Sequence, residues 1–224
     1  MFTGIVQAVG RIAAATPKGD GLRLMVDPAG LEIADVAIGD SIAVNGCCLT
    51  VVAKVAGTDG ARLAFDVSGE TLRCTAGLDG SAGINLEKAL RLADRLGGHL
   101  MTGHVDGVGT VIAFAEVSEM GSGPNSQMGS GPISELGSGP ISSWRLEIAA
   151  PAALARFIAA KGSIAVQGVS LTVNGVDGAR FHVNLIPHTL AVTTLQALVP
   201  GARVNLEVDL IARYVERLWG SREE

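Results

Sequence analysis

The side chains best equipped for chemistry in this sequence stand at paired places. Cys48 begins the run CLT at 48–50, and Ser170 begins the run SLT at 170–172. A thiol or hydroxyl on an alternating strand beside a Gly-containing bend can contact a ligand in a barrel mouth, or add to an electrophile. The plainer reading of Cys48 is a buried core thiol, and Thr50 and Thr172 also suit ordinary strand propensity. His99 and His104 stand five apart in GGHLMTGHVDGVG. That spacing shares neither a helix face nor a strand face, so a two-histidine metal site is a weak reading. A single histidine is more often a satisfied structural residue, but Gly103, Gly107 and Gly109 keep side chains away from His104. Lys161 ends a helical patch whose dipole it can complement, and Asp209 suits a helix cap as well as an acid. No triad motif, phosphate loop, dinucleotide fingerprint or metal signature appears.

The elements that position these residues repeat. FTGIVQAVGRI (2–12) corresponds to MTGHVDGVGTV (101–111), and SIAVNGCCLTV (41–51) to SIAVQGVSLTV (163–173). DGARLAFDVSGETL (59–72) corresponds to DGARFHVNLIPHTL (177–190), and INLEKAL (84–90) to VNLEVDL (204–210). The order is the same in both halves, so the chain is a duplicated domain, 1–97 and 98–207, followed by a tail. The pairing aligns His104 with Ile5, Ser170 with Cys48, Gln167 with Asn45 and Asp209 with Ala89. The second half also contains SEMGSGPN SQMGSGPI SELGSGPI at 118–141, an octapeptide written three times. Its Gly-Ser-Gly-Pro strings predict a loop that enlarges a hairpin connection and points to solvent.

Short runs rich in β-branched residues, separated by turns such as NG at 45–46, predict about six strands per half. A small closed antiparallel barrel satisfies that pattern and removes exposed edges. Helices are predicted over 86–98, over 151–162, and over 210–220, where residues 210, 211, 214, 215, 218 and 219 form an apolar stripe fit for self-association. A net charge of −5 without a basic cluster argues against duplex nucleic acid. No membrane-spanning run and no signal-type leader is evident. Cys47, Cys48 and Cys74 are an odd set without zinc spacing, which suits reduced thiols in a cytoplasmic protein.

MFTGIV, NGCCLTV, GGHLMTGHVDG, GVSLTV and GARVNLEVD together resemble the riboflavin synthases over essentially the whole chain outside 118–142. The resemblance implies an all-β fold of two tandem six-stranded Greek-key barrels of the flavin-binding type, with a C-terminal helix (208–224) that assembles a homotrimer. It implies a transferase of riboflavin biosynthesis that needs neither cofactor nor metal. Two molecules of 6,7-dimethyl-8-ribityllumazine dismutate to riboflavin and 5-amino-6-ribitylaminopyrimidinedione, and lumazine synthase is an implied partner.

Site residues follow from the same resemblance. A first pocket takes Thr3, Gly4, Ile5, Val6, Ser41, Cys48, Leu49, Thr50, Asp66, Val67, Ser68, Gly69, Glu70 and Thr71. A second takes Gly103, His104, Val105, Lys161, Ser170, Leu171, Thr172, Asn184, Leu185, Ile186, Pro187, His188 and Thr189. The working site lies between the first half of one subunit and the second half of another. His104 or a water it orients removes a proton from the acidic 7-methyl group, and water, Ser41 or Cys48 activates the second lumazine. Asp209 falls near the junction. Gln167 departs from the acidic residue common at its place in the family. The alternative reading is a non-catalytic lumazine- or flavin-binding protein of the same fold, in which one of the two pockets is free to decay.

Overall fold

A computed structural model describes residues 1–57, 60–80, 83–117 and 142–220. The octapeptide repeat, Asp59 of the predicted DG turn and the last four residues lie outside the described residues.

Twelve strands form two closed barrels with the same strand order. In the first, β1 (Ala8–Lys18), β2 (Gly21–Asp27), β5 (Gly60–Val67), β4 (Cys47–Gly57), β3 (Ser41–Val44) and β6 (Gly83–Lys88) follow one another around the wall. In the second, β7 (Gly107–Val117), β8 (Ser143–Ala149), β11 (Arg180–Leu185), β10 (Val169–Asp177), β9 (Ser163–Val166) and β12 (Arg203–Val208) repeat that path. Even the bulges recur. Ile12/Ala14 matches Val111/Ala113, and Val51/Ala53 matches Val173/Gly175. A bulge adds local twist, so its repetition at equivalent places bends both walls alike.

Strand alternation fills each barrel. Leu24, Val26, Leu63, Phe65 and Val51 point into the first, and Leu146, Ile148, Phe181, Val183 and Val173 into the second, all at most 1% exposed. Truncating one such residue, as in Phe65→Ala, should cost about 3–5 kcal/mol. Two one-turn helices, α1 (Gly69–Cys74) and α2 (Pro187–Val192), follow β5 and β11. A longer helix, α3 (Leu210–Gly220), follows β12.

The barrels meet about a pseudo-twofold relation. Phe2 and Met101 exchange backbone hydrogen bonds of 2.8 and 3.0 Å and pack with Ala43 and Ala165. The β3–β4 and β9–β10 hairpins touch at their tips, where a Cβ on Gly46 would lie 2.7 Å from Gly168 N. Asn45 and Gln167, at φ +47 and +51, precede these glycines. Their side-chain oxygens accept the amides of Asn85 (2.8 Å) and Asn205 (2.9 Å). Asn85 Nδ2 in turn donates to Gln167 O, and Asn205 Nδ2 to Asn45 O. Gln167 is thereby accounted for: it closes the second hairpin as Asn45 closes the first.

Two helix expectations are corrected. Residues 86–98 form no helix. Leu86 pairs with Ala8 and Val44 inside the first barrel, Glu87 is buried, and Leu92 and Leu96 point outward. Barrel closure overrides the helical period there. Over 151–162 only a 3-10 turn forms, Ala152–Phe157. Lys161 does not end a helix. It has φ +66 and its amide donates to Val173 O.

Candidate functional site

The segment preceding each barrel crosses to the wall of the other barrel. Gly4 O accepts Ser170 N at 2.9 Å, and Gly103 O accepts Cys48 N at 2.8 Å. Each crossing is pinned by a buried glutamate. Glu87 accepts Thr3 N and Thr3 Oγ1 (2.7 Å each) and Gly4 N (3.0 Å). Glu207 does the same for Thr102 N, Thr102 Oγ1 and Gly103 N. Burial raises the Glu87 pKa, against which its bonds from Thr3 and Gly4 hold the carboxylate. Glycine is required at both crossings. A Cβ on Gly4 would meet Ser170 Cβ at 2.5 Å, a Cβ on Gly103 would meet Cys48 Cβ at 2.6 Å, and both residues have φ near +76.

This arrangement corrects the expected grouping. Gly103, His104 and Val105 belong beside Cys48, and Val105 packs on the first core. Thr3, Gly4, Ile5 and Val6 lead to Ser170, and Val6 packs on the second core.

The position on the strand is also corrected. Cys47 and Leu49 point inward at 6% and 5% exposed, so Cys48 and Thr50 face outward. Val169 and Leu171 likewise turn Ser170 and Thr172 outward. The candidate contacts therefore lie on the outer wall of each barrel and not in its mouth. Burial pushes the Cys47 thiol up to about 12, which leaves Cys48 as the accessible thiol of the pair. Ser41 pairs with Thr50 across β3–β4 and borders a hollow of about 350 Å3 that also takes in Lys88 and Arg91.

His99 is the residue that sequence reasoning undervalued. Its Nδ1 lies 2.7 Å from Ser170 Oγ. Gly98 makes this approach possible, because a Cβ there would meet Thr3 O at 2.1 Å and Ser170 Oγ at 2.9 Å. Burial lowers the His99 pKa below the ordinary imidazole value, and the nearby Asp209 charge opposes that shift. His99 Nε2 is buried and has no hydrogen-bond partner among the described residues. Asp209 is half-buried, and its Oδ1 accepts Ile211 N at the start of α3, so it caps that helix as well. His104 is exposed on the opposite crossing segment. The GG preceding His99 was the available signal.

The remaining predicted residues are dispersed along the rims. Asp66 is held by Arg23 (2.7 Å) and Lys18 (2.6 Å), which keep its carboxyl well below the usual carboxylate range. Ser68 caps α1 by accepting Thr71 N, Gly69 is buried, and Glu70 pairs with Arg73. Val67 and Leu185 point into the cores. Asn184, Ile186, Pro187 and His188 are exposed around the start of α2, and Thr189 O accepts Thr193 Oγ1. Lys161 is exposed, and its left-handed backbone corresponds to Gly39 (φ +100) in the first half, where the same strand bond forms (Gly39 N to Val51 O). A lysine kept where its counterpart is glycine costs about 1 kcal/mol of backbone strain, which points to a use for its side chain. Among the described residues no three His, Cys, Asp or Glu side chains converge on one point, and no helix is long and apolar enough to cross a membrane.

The pattern of the lumazine binding domain family matches this chain twice, over residues 3–89 and 102–209. The riboflavin synthase of Photobacterium phosphoreum is 43% identical over 220 residues, covering 97% of this chain and 88% of that protein. The riboflavin synthase of Mycobacterium bovis is 41% identical over 227 residues, covering 99% of each. Among solved structures, LumP complexed with riboflavin superimposes with a TM-score of 0.72 at 26% identity, covering 93% of this chain and 99% of that one. LumP complexed with 6,7-dimethyl-8-(1'-D-ribityl) lumazine gives 0.71 at 25%, with the same coverage.

Proposed function

The chain belongs to the riboflavin synthase family, and we propose that its two outer walls each hold one lumazine for a single reaction between them. The function is riboflavin synthesis: two 6,7-dimethyl-8-ribityllumazine molecules give riboflavin and 5-amino-6-ribitylaminopyrimidinedione, with a four-carbon unit passing from one to the other. The curated relatives that share 41–43% of its residues are synthases, whereas the LumP structures share 25–26%, which favours the enzyme over a pure binding protein.

The observation that carries the reading is the paired but unlike chemistry of the walls. The first presents Cys48, Thr50 and the His104–Val105 backbone that follows Gly103. The second presents Ser170 with its His99 contact, Thr172 and the Ile5–Val6 backbone that follows Gly4. Unlike walls suit a reaction in which identical molecules take unlike parts. A neutral His99 can receive a proton through Ser170 as the 7-methyl group of the lumazine on the second wall is deprotonated, which adds a base beside the predicted His104. The resulting anion delocalises into the ring system and attacks the partner lumazine, activated at its 7-position by water or by Cys48. Backbone groups just after Gly4 and Gly103, not those spent on Glu87, Glu207 and the facing strands, read the pyrimidine edges, and Lys161 lies in the turn that leads into the second wall. Holding two reactants in register supplies much of the acceleration.

Both walls are open, with Thr50, Thr172, Ile5 and His104 exposed. A second subunit facing them would close the site and exclude water. Helix α3 offers the means of assembly, since Ile211, Tyr214, Val215 and Trp219 are 55–72% exposed on one apolar stripe. We therefore read the working unit as a homotrimer with sites between subunits. Supplying the lumazine to purified protein and following riboflavin absorbance tests the function. Tight lumazine binding with no riboflavin formed above the uncatalysed rate would sink it.

A further inference from the structure

We propose a second ligand site at the hairpin tips of the barrel junction, for a small carboxylate with an apolar flank. A cleft of about 540 Å3 opens between the barrels beside the β3–β4 and β9–β10 hairpins. Its polar lining consists largely of donors. Asn45 and Gln167 are 2% and 8% exposed, and both line the cleft. Each spends its side-chain oxygen on a backbone amide, Asn85 N and Asn205 N. That fixes both amide groups with their nitrogens turned away from those bonds, and neither Asn45 Nδ2 nor Gln167 Nε2 has a partner among the described residues. Neither nitrogen is itself fully buried, so two oriented donors reach the cleft, where a ligand can accept from them in place of water.

Three further observations set the ligand chemistry. Arg203 at the edge of the cleft makes no ion pair and no side-chain hydrogen bond among the described residues, and no Asp or Glu lines the cleft. Asp79 shares with Arg203 the adjoining depression across Gly77 but forms no ion pair with it. Thr194 Oγ1 in the wall is buried without a partner. Val9, Ala197 and Leu198 supply apolar surface. Two amide donors and a guanidinium that is not ion-paired, in a cleft whose own lining holds no carboxylate, select an anion that accepts several hydrogen bonds, and the apolar wall selects a hydrocarbon flank. Cys48, Thr50, Ser170 and Thr172 are not among the residues that line this cleft.

The test uses benzoate as probe and saturation-transfer NMR on the full chain, with excess riboflavin present to fill the outer walls. Benzoate should bind at millimolar concentration despite the riboflavin, and benzylamine, of like shape and opposite charge, should not. Arg203→Ala should weaken benzoate by about tenfold or more while riboflavin formation continues, which certifies its fold. Gln167→Glu, which keeps the acceptor for Asn205 N and replaces the free donor with a carboxylate oxygen, should abolish binding. The proposal is overturned by displacement of benzoate with riboflavin, by equal binding of benzylamine, by unchanged affinity in Arg203→Ala, or by no benzoate binding at all.

Discussion

His99 Nδ1 lies 2.7 Å from Ser170 Oγ, so the linker between the barrels reaches the chemical wall of the second barrel. Removing the imidazole should lower turnover by about 10²–10⁴-fold, with a much smaller change in lumazine affinity. Comparable losses in kcat and in binding, measured by steady-state kinetics and titration, would reduce His99 to a packing residue.

The same burial sets a pH window. The folded His99 pKa is below the ordinary 6.5, so the folded protein refuses a proton that the unfolded chain accepts. Its contribution to stability is therefore complete above about 6.5 and falls as pH drops below that value. The acid limb of kcat should also lie below about 6.5 and should disappear in His99→Gln. A limb centred above that value, or one that survives the substitution, contradicts neutral His99 as the proton acceptor.

Lys161→Gly separates strain from use. Glycine suits φ +66 and reproduces Gly39 of the first half, so melting temperature should hold or rise, by up to about 1 kcal/mol of stability. Lumazine affinity at the second wall should fall. Unchanged affinity, read by equilibrium titration, would assign Lys161 no part in the site.

Asn205 joins three backbone groups across the barrel junction: Asn45 O (3.0 Å), Ala76 O (3.2 Å) and Ala76 N (2.7 Å). Asn205→Leu strands these groups and should cost about 1–3 kcal/mol for each left unsatisfied. Denaturant unfolding should show the loss, whereas Asn184→Leu at an exposed rim should change stability little.

Thiol access follows strand alternation. Iodoacetamide should alkylate Cys74 and Cys48 in the folded protein and spare Cys47, whose thiol is buried and pushed up to about 12. Peptide mass mapping reads the outcome, and early modification of Cys47 would reverse the assigned strand faces.

The repeats made the duplicated barrels legible, because strand alternation is local and the two halves repeat it in the same order. The run at 86–98 was not legible. Leu86, Leu90 and Ala93 keep a helical period, yet Leu86 is claimed by β6 pairing on both sides. Nor was the crossing of Gly4 and Gly103. A repeat shows that two segments are equivalent, but crossed and uncrossed paths bury the same residue types. Outward-facing Cys48 and Ser170 were found as chemical residues and placed wrongly, since either strand face satisfies an alternating pattern until Leu49 and Leu171 are known to fill the cores. His99 gained its meaning only from a partner 71 residues away.

In the proposed reaction, one lumazine on a Cys48 wall reacts with another on a Ser170 wall contributed by a different subunit. Thr50→Trp blocks the first wall and Thr172→Trp the second, and each change lies at an exposed position. Riboflavin formation by each variant alone and by a co-refolded mixture of the two measures the claim directly. Both variants should be inactive alone, and the mixture, once mixed oligomers are seen by native mass spectrometry, should make riboflavin, because some interfaces then join two intact walls. A mixture as inactive as its parents, despite mixed oligomers, would contradict it.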